Sequence, residues 1–144
     1  MLLRLPIALY RLKLGWLLGR RFVLLNHTGR TTGITRATVL EVMRYDASSH
    51  RCYVASGWGR RSQWFRNVTA NPQVSYTIGV HRRAGTAQPL PQDRAEQELR
   101  DYGRRHRRAL TKLTKLMIGE AFTGSAEQYQ RLAEQVPVLL LSPD

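Results

Sequence analysis

Two segments concentrate groups able to hold a flat ligand with an anionic tail. In residues 24–36, Gly29 and Gly33 permit sharp turns, Arg30 and Arg36 can fork onto phosphate or carboxylate, and Thr28, Thr31 and Thr32 supply hydroxyl donors. In residues 55–72, Gly57 and Gly59 flank Trp58, Arg60 and Arg61 follow, and Trp64, Phe65, Arg66 and Asn67 come next. Such aromatic and backbone groups suit a planar ring system. Neither segment is a Walker loop or a dinucleotide glycine fingerprint, because the Gly-Lys-Ser/Thr ending and the Gly-x-Gly-x-x-Gly spacing are missing. Taken alone, the first also reads as a hairpin loop with solvated arginines, and the second as aromatics buried under a barrel.

The elements that must carry these groups follow from periodicity. Phe22 to Leu25 reads as a strand entering the first turn, and the run from Thr38 to Met43 as the return strand. Tyr53 to Ala55 is a further short strand, and Ser62 to Ala70 has helical apolar spacing that Asn71-Pro72 ends. Val74, Tyr76, Ile78 and Val80 alternate, and residues 82–88 pair back as a hairpin. From Gln92 to Arg108 the pattern predicts an exposed helix, continued by a second piece over 112–117. Ser125 and Gln128 form a capping-box pattern that opens a last helix to Gln135, and residues 137–141 read as a buried closing strand. Antiparallel strands with inserted and terminal helices predict an α+β chain built on a closed or half-closed barrel. With 144 residues, no repeat and no linker, residues 1–144 read as a single domain.

Lys and Arg number 23 against 10 Asp and Glu, a net charge of +13 that favours anionic partners. No acid precedes Glu41, so the amino-terminal quarter is purely cationic. The lone Cys52 excludes an internal disulfide and a cysteine metal cluster and fits a reducing cytoplasm, as a small buried hydrophobe. Residues 1–18 place Leu5, Leu9, Leu12 and Trp16 on one helical face, with Arg4 and Arg11 on another. The basic interruptions exclude a signal peptide or a membrane span. An amphipathic helix remains, packed on its own domain or lying on the anionic inner face of a membrane.

The string Thr28-Gly29-Arg30-x-Thr32-Gly33-x-x-Arg36, then Ala55-Ser56, then Trp64-Phe65-Arg66-Asn67-Val68-x-Ala70-Asn71-Pro72-x-Val74, resembles the deazaflavin-dependent nitroreductase family. The resemblance runs from about Leu9 to Pro143. It implies a split β-barrel of the FMN-binding-protein type, binding of coenzyme F420, and hydride transfer from the reduced cofactor to a small organic acceptor such as a quinone, nitroaromatic or enone. Carried over by position, it places Asn26, Arg30, Thr31, Thr32 and Arg36 along the phosphate and oligoglutamate tail, and Ala55, Ser56, Trp64, Phe65, Arg66 and Asn67 near the ring and its linker. The family often has lysine where Thr31 and Gly57 stand, and its loop before Trp64 is longer; Arg60 and Arg61 are placed to replace those charges.

Because the cofactor carries the hydride, protein groups need only orient it, exclude water and stabilise developing charge. Ser56 is a candidate hydrogen-bond donor to an acceptor oxygen, and Tyr129 a candidate cover for the ring and proton donor. His27, His50, His81 and His106 have no ligand spacing, and no metal site is expected. Three rival readings remain. FMN on the same barrel requires a short phosphate pocket, and a carrier without turnover leaves no room beside the ring. A nucleic-acid binder has only the charge of Arg100, Arg104, Arg105, Arg107, Arg108, Lys112 and Lys115 in its support. The acceptor and the oligomeric state are open at this point.

Overall fold

Strand alternation accounts for the sheet. In β1 (Phe22–Thr28), Val23, Leu25 and His27 are buried while their neighbours are partly exposed. In β4 (Gln73–Ile78), Val74, Tyr76 and Ile78 repeat that period of two. The computed structural model describes residues 21–56 and 59–144, the Arg60 side chain excepted. The expected amino-terminal helix over 1–18, with its membrane reading, and Gly57 and Trp58 lie outside the described residues.

With β2 (Thr35–Asp46), β3 (Arg51–Ala55), β5 (His81–Pro89) and β6 (Val138–Pro143), the strands close into a barrel of order β1-β2-β3-β6-β5-β4, antiparallel throughout. Closure pairs every edge. The interior is filled by Val23, Leu25, Val54, Tyr76, Leu139 and Leu141 among others. Helix α1 (Gln63–Ala70) plugs it, because Trp64, Phe65 and Val68 fall on one helical face and are buried in the same cluster. Asn71 ends α1 in an extended conformation, φ −139° and ψ 98°, as the residue before Pro72 favours.

A second core lies between the outer barrel wall and three helices: α2 (Gln92–Arg105), α3 (Arg107–Ile118) and α4 (Ala126–Gln135). Leu99, Tyr102, Leu110, Leu132 and Val136 pack there against Met43, Tyr53 and Val138. Polar ties fix α2 on β2. Arg44 donates to both Glu98 oxygens at 3.0 and 2.9 Å, with its guanidinium 4.0 Å from the Tyr53 ring centre. The Arg105 Nη2 donates to the Met43 carbonyl at 2.8 Å, and the Tyr102 hydroxyl to Glu41 at 3.2 Å. Bidentate arginine pairing sets both distance and orientation, so the gap between strand and helix has a defined width.

The barrel and its helices agree with the α+β expectation, and three local details differ from it. The helix expected as exposed over 92–108 buries Ala95, Glu98, Leu99 and Tyr102 against the barrel, and it breaks at His106, where α3 already begins with Arg107. The Ser125 hydroxyl does accept from the Gln128 amide, at 3.1 Å, but the Gln128 side chain does not return to Ser125. Instead its Oε1 accepts from the Thr123 and Gly124 amides, and its Nε2 donates to the Ala121 carbonyl at 2.8 Å, pinning the preceding loop. Cys52 is fully buried, and burial pushes its thiol up to about 12, which keeps it protonated and inert.

Candidate functional site

The glycine-threonine turn between β1 and β2 closes on itself. The Gly29 amide donates to the Ile34 carbonyl and the Gly33 amide to the Gly29 carbonyl, both at 2.9 Å, with Gly33 at φ 73°, where a side chain would be strained. The turn is also bolted to α1. Asn67 Oδ1 accepts from the Arg30 amide at 3.1 Å and from Arg30 Nη1 at 2.8 Å, while Gln63 Oε1 accepts from the same Nη1 at 3.0 Å. With its oxygen so engaged, Asn67 turns its Nδ2 to His27 Nδ1, 3.1 Å away. An amide nitrogen only donates, so His27 is the neutral tautomer with its proton on Nε2. Burial, with the charge of Arg36 adding to it, lowers the His27 pKa from 6.5 and favours the same neutral form.

The outcome for the anion-binding candidates is uneven. Arg30 has its guanidinium held at one edge, while Thr31, Thr32 and Arg36 are exposed beside it. Asn26 sits half-buried on the opposite face of β1 from His27, paired with Ala37 across to β2. Asn67 is 3 % exposed, with its oxygen on Arg30 and its nitrogen on His27, so its part is to position Arg30.

Two residues along β2 from Arg36, about 7 Å at strand rise, Thr38 opens onto a cleft of about 570 Å³ between the outer barrel wall, α2 and α3. Val39, Leu40, Met43, Trp64, Leu99 and Leu113 give it apolar walls, Ala55 lies at the end of β3, and Arg21, Arg108 and Lys112 are cationic groups on its lining. Phe65 does not line this cleft. It packs inside the barrel with its ring edge-on to Trp64, centres 6.1 Å apart, and so supports the cleft wall from behind. Arg61 and Arg66 are exposed, and the Arg60 side chain lies outside the described residues.

The two candidate catalytic groups fall elsewhere. Ser56 is 1 % exposed, its hydroxyl donates to the Gly59 carbonyl at 2.6 Å, and its amide donates to the Pro137 carbonyl. The proton expected for an acceptor oxygen is therefore used to tie Ser56 to Gly59. Tyr129 lines a separate pocket with Phe122, Arg100 and Arg104, across α2 from the cleft. The tyrosine that does line the cleft is Tyr102, whose hydroxyl is pushed up to about 12 by burial first and by Glu41 second. A sequence signal for it existed, since Tyr102 lies one helical turn from Leu99 on the same face.

Comparison with known proteins places this geometry. The family described as F420H(2)-dependent quinone reductase matches residues 4–114. Among solved structures, an F420-H2 dependent reductase, FDR-A, is 20 % identical, covering 86 % of this chain and 96 % of its own, with a TM-score of 0.58. A pyridoxamine 5'-phosphate oxidase-related, FMN-binding protein from Nostoc punctiforme is 15 % identical over 97 % of this chain and 80 % of its own, TM-score 0.53. A structure described as a domain-swapped dimer is 23 % identical over 95 % and 99 %, TM-score 0.51. These likenesses establish the barrel. No curated protein matches the chain.

Proposed function

The chain belongs to the F420H(2)-dependent quinone reductase family and is an F420H2-dependent oxidoreductase acting on a small-molecule acceptor; from that premise, we propose that the arginine turn and the apolar cleft form one cofactor-and-acceptor site, and that the acceptor is a quinone or a molecule of similar flat, apolar chemistry. The observation that carries the reading is their continuity: β2 leads from Arg36 in the anion-binding turn to Thr38, Val39 and Leu40 on the cleft wall. The donor set fits the cofactor. A phosphate and oligoglutamate tail needs fixed cations in the open, which Arg30 and Arg36 supply, and a planar ring needs an apolar slot, which Val39, Met43 and Trp64 line.

When bound, reduced F420 supplies the hydride. The chain's own work is placement. Arg30, held by Asn67 and Gln63, pairs with the anionic tail without first losing its own freedom, and Thr31, Thr32 and Arg36 add donors. Trp64, backed by Phe65, would wall the bound ring, and Leu99 and Leu113 would help to exclude water from it. Arg108 and Lys112 place positive charge where an acceptor oxygen takes on electron density. Ser56 acts by tying the end of β3 to Gly59, and Tyr102 keeps its proton through neutral pH. Residues 1–144 are read as one such domain. The amphipathic pattern of residues 1–18 supports contact with an anionic membrane, where an apolar quinone partitions.

Parallel fluorescence titrations with F420 and FMN test the cofactor, and anaerobic oxidation of F420H2 by a short-chain quinone tests the acceptor class. The reading predicts selective F420 binding and quinone-dependent turnover. Preference for FMN would overturn the cofactor assignment, and F420 binding with no turnover on quinones would overturn the acceptor.

A further inference from the structure

On the far side of α2 from the cleft is a second cavity, of about 460 Å³, and its chemistry is different. Arg100, Arg104 and Arg107 line it, together with Phe122 and Tyr129, and no carboxylate does. Of the acids on neighbouring elements, Glu98 pairs with Arg44, Asp101 with Arg105 and Glu120 with Arg131, while Glu96 on α2 and Glu127 on α4 stand outside the cavity lining. Among the described residues, none of the three lining arginines forms an ion pair.

The guanidiniums are nevertheless placed. That of Arg100 lies 4.8 Å from the Tyr129 ring centre and that of Arg107 lies 5.6 Å from the Phe122 ring centre, with the two rings edge to face at 5.8 Å. Stacking on a ring uses the flat face of a guanidinium and leaves its N–H edge free for an oxyanion. The Tyr129 ring is buried, 6 % exposed as a residue, and its hydroxyl has no hydrogen-bond partner among the described residues. That hydroxyl reaches α2 only because residue 103 is glycine: a Cβ there would lie 2.5 Å from it. The wall formed by Thr123 and Gly124 is fixed by the Gln128 side chain. Burial pushes the Tyr129 hydroxyl up, and Arg100, Arg104 and Arg107 each lie near enough to oppose that push.

The geometry points to a second ligand site, a receptor for a phosphate-bearing small molecule, formed by Arg100, Arg104, Arg107 and the Tyr129 hydroxyl. Three guanidiniums exceed what one carboxylate can neutralise, while a phosphate dianion offers three oxygens to their edges and to one hydroxyl donor. This assignment does not rest on the F420 reading.

The probe is inorganic pyrophosphate, titrated calorimetrically at low salt into the full chain, with citrate as the polycarboxylate comparison. Wild type is set beside Arg104→Gln/Arg107→Gln, Arg30→Ala/Arg36→Ala, and Arg82→Gln/Arg94→Gln; the last pair removes the same two charges at exposed positions that line neither cavity. The expected result is saturable pyrophosphate binding that Arg104→Gln/Arg107→Gln weakens by at least about tenfold, the loss of one charged hydrogen bond, and that the other two variants preserve. Tyr129→Phe weakens it by less. Absence of binding to wild type, equal losses in all three double variants, or a loss confined to Arg30→Ala/Arg36→Ala would overturn the site. Tighter binding of citrate would overturn the choice of phosphate.

Discussion

One helix separates two cavities of similar size and opposite character. Leu99 and Tyr102 of α2 face the cleft, and Arg100, Gly103 and Arg104 face the arginine pocket, roughly 120° around the helix at 3.6 residues per turn. The cleft is apolar where a flat ring must slide in and takes its anion-binding groups from a turn about 7 Å along β2. The pocket is lined by cations, two of which, Arg100 and Arg107, lie over its own aromatic rings. A site for a large amphiphile keeps its charge at the end of an apolar slot, whereas a site for a compact anion gathers charge around a point.

Substitutions that act on one side and spare the other test that division. The largest effect is expected from Arg30→Ala/Arg36→Ala, which removes two charge-assisted contacts and weakens F420 by about a hundredfold while leaving pyrophosphate affinity intact. Comparable loss of both ligands in equilibrium titrations would erase the distinction.

Next comes Asn67→Ala. It orphans the Arg30 amide and leaves the guanidinium held by Gln63 alone, so urea unfolding should show a loss of about 2–3 kcal/mol, with weaker F420 binding and an unchanged arginine pocket. A variant as stable as wild type would mean that the turn is not bolted to α1.

The same junction has a pH signature. Folding lowers the His27 pKa, so the unfolded chain binds the extra proton first, and stability is full above about pH 6.5 and falls as the solution is acidified below it. Arg36→Ala removes the smaller of the two causes and should flatten the fall seen in thermal melts between pH 7 and 5. An unchanged slope would assign the whole effect to burial.

Smallest in stability but diagnostic for the cleft is Leu116→Lys, at a position 63 % exposed. It should raise KM for an apolar quinone several-fold, without shifting Tm, at ordinary surface tolerance. An unaltered KM would move the acceptor out of the cleft.

What could be read from the sequence divides along the same line. The strict alternation of Val74, Tyr76 and Ile78, the helix stopped by Asn71-Pro72, and the Ser125 cap are local signals, and they were legible as a barrel with inserted helices. The arginine turn was legible too, because its glycines and arginines lie within nine residues. The cleft was not. It joins Val39 and Met43 to Leu99 and Leu113, more than fifty residues apart, through ties such as Arg44 to Glu98 that no periodicity announces. Tyr129 carries the same lesson: its helix was correctly expected, but whether its hydroxyl meets the cleft or the far pocket depends on how α4 packs against α2, where Gly103 admits it.

The most direct test is a pair of F420 titrations, one on Arg30→Ala/Arg36→Ala and one on Arg104→Gln/Arg107→Gln, both read against wild type. The account predicts that the first variant loses F420 by about a hundredfold and that the second binds it as wild type does. Loss of F420 in the second variant with retention in the first would place the cofactor's tail in the arginine pocket and contradict the continuity of turn and cleft.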